Sequence, residues 1–155
     1  MRGDWDPERY VATREWVTAD DGVQVPMSVV RRRDVLADGS APGLLTGYGS
    51  YEISSDPYFS VARLSLLDRG VVFATAHVRG GGEMGRAWYE QGRLVAKSTT
   101  FSDFVACGRH LVDAGWVARD RLAAEGGPPE DWARLIRSLA VLGRKDEAMA
   151  IWRES

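Results

Sequence analysis

An open α/β sheet of about five strands, with helices on its faces and a helical hairpin at the C-terminal end, is the architecture the sequence predicts. Three observations carry it. Two weakly alternating runs flank the turn signal Asp20-Asp21-Gly22. Apolar strand-like runs then alternate with helix-spaced ones between Gly43 and Glu125. From Pro128-Pro129 onward the composition changes to helix signal alone. The organisation expected is a polar lead-in over 1–10, an α/β domain over 11–127 and a hairpin over 128–155.

Each element has its own justification. Arg14 to Thr18 and Val23 to Arg31 alternate on either side of the Asp-Gly turn and are expected to pair as antiparallel strands. Asp38 to Pro42 is a loop, and Gly43 to Thr46 is a short apolar strand ending at the glycine turn Gly47 to Gly49. Val61 to Asp68 places Val61, Leu64 and Leu67 on one helical face, with Gly70 as its stop. Val71 to His77 is a near-continuous, β-branched run, expected at the centre of a sheet covered on both faces. Thr100 to Ala114 reads as a helix with Phe101, Phe104, Val105, Leu111 and Val112 on one side, Ser102-Asp103 at its start and Gly115 at its end. Arg121 to Glu125 is a further short strand leading into Gly126-Gly127. In the tail, Pro129 suits a first helical turn, apolar residues recur from Trp132 to Leu142, and Asp146 to Arg153 forms a second short helix after Gly143.

Composition narrows the function classes. With 155 residues, 45% hydrophobic and 27% charged, the chain can bury a core. A formal net charge of −2, with the two signs interspersed, gives neither a nucleic-acid surface nor a membrane-targeting tail. Arg31, Arg32 and Arg33 form the dense basic run, read as a solvated strand end. Cys107 is the sole cysteine, so an internal disulfide is excluded and a cysteine-based metal site lacks partners of the usual spacing. No metal and no cofactor is expected. Met1 to Pro7 has no apolar core, and no apolar run approaches the ~20 residues that span a bilayer, so a cytoplasmic location is expected.

At LLTGYGSYEISSDPYFS and HVRGGGEMGRAWYEQGRL the sequence resembles the prolyl oligopeptidase family of serine peptidases, and within it oligopeptidase B, from about Asp6 to Gly127. That resemblance implies the first part of an α/β-hydrolase-type catalytic domain, in agreement with the strand and helix pattern. It also implies that Tyr48, in the GYG turn, donates its hydroxyl to the oxyanion hole, a contribution of about 3 kcal/mol to a barrier. The alternative is that Tyr48 only packs in the turn. His77 is expected to be a packed or hydrogen-bonded histidine, since no nucleophile is near it in sequence. His110 is expected on the surface of its helix, and Arg79 and Glu83 are candidates to pair across the glycine loop.

One departure bears on activity. The family pattern continues a strand like RLAAE into a Gly-Gly-Ser-x-Gly-Gly nucleophile elbow, a strained turn that exposes serine beside a backbone donor. Here Pro128, Pro129 and Glu130 follow Gly127. Serine is absent there, and proline has no N–H to give. The acid, the base and the acidic residues that select basic side chains belong to later segments of the family pattern, and the propeller domain to an earlier one; none has a counterpart here. The tail, from Trp132 through GRKDEAMAIW, resembles a single tetratricopeptide repeat of the cytochrome c biogenesis type. The expected function is therefore a truncated serine-peptidase domain without turnover of its own. Two alternatives stand beside it: a helical-hairpin interaction module on a hydrolase scaffold, and a residual oligopeptidase cutting short peptides after Arg or Lys. Short peptides are the expected substrates, and the exposed sheet edge or the hairpin is the expected place for a protein partner.

Overall fold

The computed structural model describes residues 6–56 and 58–126. Five strands and three helices follow one another: β1 Tyr10–Thr18, β2 Gln24–Arg32, β3 Gly43–Gly47, α1 Val61–Asp68, β4 Val72–Ala76, α2 Arg86–Glu90, α3 Lys97–Asp113 and β5 Leu122–Gly126. They build one mixed sheet in the order β1-β2-β4-β3-β5. β1, β2 and β4 run antiparallel to their neighbours in turn, and β3 pairs parallel with both β4 and β5. The expected α/β architecture is thus present, with the apolar run of β4 at its centre.

The hairpin forms where the Asp-Gly signal places it. Asp21 accepts from the Val23 N–H at 3.2 Å, and Gly22 takes φ 83°, a region that glycine enters without steric cost. Ser60 caps α1 by accepting from the Arg63 N–H at 3.3 Å, and Gly70, at φ 81°, closes its C-terminal end.

The core lies between the sheet and α3. Val25, Met27, Val29, Leu45, Val72, Ala74 and Ala76 point from β2, β3 and β4 toward Phe104, Cys107 and Leu111 of α3. Each fully buried large side chain among them contributes roughly 1.5–3 kcal/mol. On the opposite face α1 covers β2 and β4 only in part, with Arg63 stacked 4.1 Å from the Phe73 ring. The expectation that both faces of the central strand are covered therefore holds fully for one face, while the other opens into a cleft among the described residues.

Other boundaries shift for physical reasons. β1 starts at Tyr10 rather than Arg14, because the ladder with β2 extends to Tyr10↔Arg32. α3 begins at Lys97, so Ser102 and Asp103 lie within the helix instead of starting it. α2 was absent from the sequence reading; its five residues are too few to show a period, and buried Trp88 anchors it. The arginine run is less solvated than expected: Arg31 stacks 4.5 Å from the Trp116 ring, Arg32 pairs with Asp34, and of the three only Arg33 is exposed. The hairpin expected over 128–155 lies outside the described residues.

Candidate functional site

The parallel strands end together. Gly47 of β3 is in register with Ala76 of β4 on one side and Gly126 of β5 on the other. The carboxyl ends of parallel strands are where open α/β sheets hold ligands. Tyr48 follows Gly47 at this edge, half-buried, and lines a cleft of about 740 Å³ together with Ser28, Thr46, Thr75, His77, Glu125 and Gly126. The glycine turn that carries Tyr48 therefore sits beside the strand end that leads toward Pro128.

Two glycine segments interlock to hold that turn. Gly80 has φ 99°, and a Cβ there would lie 2.2 Å from the Gly49 carbonyl oxygen, so only glycine permits the approach. Lys97 Nζ donates to the Gly49 carbonyl at 2.7 Å and to Ser50 Oγ at 2.5 Å, and Thr100 Oγ1 donates to the Arg79 carbonyl at 2.6 Å. α3 thus clamps both loops from below.

At the centre of the clamp is Arg79, 3% exposed, against Asp103, 0% exposed. Nε donates to Asp103 Oδ2 at 2.9 Å and Nη2 to Oδ1 at 2.6 Å, a two-pronged pair. Nη1 reaches Asp21 Oδ2 at 2.6 Å, tying the glycine loop to the β1–β2 hairpin. Hydrogen bonds donated to Asp103 keep the guanidinium charged against the cost of burial, and Arg79 in turn holds the Asp21 carboxyl below its ordinary value. The expected Arg79–Glu83 pair does not form. Asp103, placed inside α3, outcompetes Glu83 for Arg79, and Glu83 turns to His77.

His77 is packed and hydrogen-bonded, as expected. Its N–H donates to the Pro26 carbonyl at 2.9 Å, and its carbonyl accepts from Trp88 Nε1 at 3.1 Å. The ring lies between two side chains: Nε2 is 2.8 Å from Ser28 Oγ, and Nδ1 is 3.6 Å from Glu83 Oε1. Burial opposes ionisation of Glu83, yet the neighbouring His77 ring and the Ser55 N–H, 2.9 Å from Oε1, outweigh it and hold the carboxyl below its ordinary value. His110, half-buried, meets Glu15 of β1 at 3.0 Å and so docks α3 on the hairpin. Cys107 is buried against the sheet, and desolvation raises its thiol far above the reactive range.

The sequence did not disclose a polar row across the open face. Ser28 of β2 is in register with Thr75 of β4, Thr75 with Thr46 of β3, and Thr46 with Glu125 of β5. One step toward the amino ends of β3 and β4 lies an apolar row, Val30, Phe73 and Leu44. The period of two in each strand signals one polar and one apolar step, but pairing β2 to β4 across 49 residues is not visible in it. No group of three or more ligating side chains that could hold a metal ion occurs among the described residues.

Residues 57–128 match the prolyl oligopeptidase family. Dipeptidyl aminopeptidase BI of Pseudoxanthomonas mexicana is 52% identical over 124 residues, which are 79% of this chain and 17% of that protein. Protease 2 of Moraxella lacunata is 46% identical over 127 residues, 82% of this chain and 18% of that protein. The structure of oligopeptidase B from Leishmania major superposes with a TM-score of 0.76 at 46% identity, over 80% of this chain and 17% of that one. The chain thus spans less than a fifth of the length of the curated relatives it matches.

Proposed function

The chain contains prolyl oligopeptidase-family sequence at residues 57–128, and from that premise we propose that residues 11–127 are a partial catalytic domain of such a peptidase, without peptidase turnover of its own. One observation carries the reading. β5 delivers the chain to the carboxyl edge of the sheet beside Tyr48, and the residues that follow Gly126-Gly127 are Pro128, Pro129 and Glu130 in place of an elbow serine. In this reading Tyr48, which lines the cleft at that edge, is the oxyanion donor, and a short peptide is the cleft's ligand. Without an elbow serine after β5, no peptide-derived acyl-enzyme forms for that donor to stabilise.

The test is hydrolysis of fluorogenic arginyl and prolyl peptides by the 155-residue chain. Release at the level of buffer is expected. Turnover that disappears in a single Ser→Ala variant would overturn the reading.

A second reading is favoured by the sheet itself. β5 is an edge strand among the described residues, and its outer N–H and C=O groups are available to another polypeptide. In this role the domain is a scaffold that binds a partner by strand addition.

A further inference from the structure

Beyond any peptidase role, the open face brings a hydroxyl, an imidazole and a carboxylate into line. Ser28 Oγ lies 2.8 Å from His77 Nε2, and Glu83 Oε1 faces the other ring nitrogen at 3.6 Å. His77 Nδ1, the ring nitrogen that faces Glu83 Oε1, and Glu83 Oε2 are both buried without a hydrogen bond among the described residues. The His77 main chain is held by Pro26 and Trp88, and the residue is buried, 5% exposed. Ser28, by contrast, is half-exposed and lines the cleft.

We propose that Ser28, His77 and Glu83 form an acyl-accepting site for small carboxylic esters, with Ser28 as nucleophile, His77 as general base and Glu83 as the positioning residue. The arrangement has the order of roles found wherever a serine is activated: a hydroxyl on one imidazole nitrogen and a carboxylate on the other. The 3.6 Å separation shortens when the imidazole gains a proton and its Nδ1–H acquires a full counter-charge. Thr75, the cross-strand neighbour of Ser28 at about 5 Å, places a hydroxyl on the same face, where a carbonyl oxygen gains charge, and Thr46 on the next strand lies 3.3 Å from the Thr75 hydroxyl. Val30, Phe73 and Leu44 offer an apolar floor for the acyl chain.

The chemistry balances as ester hydrolysis. Ser28 Oγ attacks the ester carbonyl carbon while its proton passes to His77 Nε2. The tetrahedral species collapses, the bond to the alcohol oxygen breaks, and His77 returns the proton to the leaving alkoxide. Water, deprotonated by His77, then attacks acyl-Ser28 and releases the carboxylic acid with Ser28 restored. An alkoxide leaves more readily than an amide nitrogen, so this site selects esters and not peptides.

The full 155-residue chain is treated with a fluorophosphonate probe, the adduct is mapped by mass spectrometry, and p-nitrophenyl acetate hydrolysis is followed. A single adduct on Ser28 is expected. Ser28→Ala should lose the adduct and fall to background hydrolysis, and His77→Asn should lower the rate about 100-fold. Glu83→Gln should lower kcat about tenfold with KM unchanged, whereas a merely structural role would move both or neither. Ser102→Ala, whose hydroxyl bonds its own helix at Thr99, should keep the full rate. Absence of a Ser28 adduct on the unaltered chain, or hydrolysis unchanged in Ser28→Ala, overturns the assignment. Mapping on the unaltered chain decides the matter even where a variant fails to fold. Cleavage of an arginyl peptide bears on the peptidase reading alone.

Discussion

Arg79 is the residue whose loss should cost this fold most. It is buried, it donates to two carboxylates, and it joins the glycine loop, α3 and the β1–β2 turn. Arg79→Met leaves Asp103 charged and fully enclosed, so a loss of about 3–5 kcal/mol is expected, read as a fall in the urea midpoint. Replacing Asp103 by leucine in the same chain should restore part of that loss, since the unpaired charge goes with it. Two carboxylates, Asp21 beside Arg79 and Glu83 beside His77, also set an acid limit. Asp21 titrates below its ordinary 3.8 in the folded protein, and Glu83 below 4.5, so both contribute fully above those values. Their contributions disappear as pH falls through the lower folded values, because protonation then favours the unfolded chain. Asp21→Asn should accordingly flatten the decline of the melting temperature between about pH 5 and pH 2. None of this was legible in the sequence: Arg79 reaches partners 24 and 58 residues away, and the nearby Glu83 was the more obvious one.

Elements whose period is complete within a few residues were legible. The Asp-Gly hairpin, the β-branched run of β4 and the glycine-terminated α1 all stand where their patterns place them, because each pattern is set by local sterics or by one buried face. α2 was not, since one turn of helix has no period and owes its existence to a Trp88 side chain buried under a loop. The site was legible only in part. Tyr48 and the glycine loop stand at the sheet edge, whereas the Ser28–His77 contact depends on the β2–β4 register. β5 leaves a consequence at this scale. It is an edge strand among the described residues, with Ala123 exposed. Ala123→Lys adds a charge where a second chain would align, so it should reduce concentration-dependent association in sedimentation velocity while leaving the melting temperature within about 1 °C.

At the scale of the molecule, the sheet is finished on one face and, among the described residues, open on the other. α3 seals the inner face with Phe104 and Leu111 and ties it to the hairpin through His110 and Glu15. The outer face has α1 over Phe73 and otherwise a cleft of about 740 Å³. An open face and an unpaired edge in one domain favour association with whatever apolar or strand-forming chain is at hand. The 128–155 segment is joined to β5 at that edge and carries Trp132, Leu135, Leu139 and Trp152. A chain ending at Gly127 loses those side chains and keeps every residue of α3 and of the inner core. We therefore expect it to keep its far-ultraviolet strand signal, to melt several degrees lower, and to form dimers or larger species at concentrations where the 155-residue chain is monomeric. A 127-residue chain that stays monomeric with an unchanged melting temperature would show that the outer face and the β5 edge are stable in water without residues 128–155.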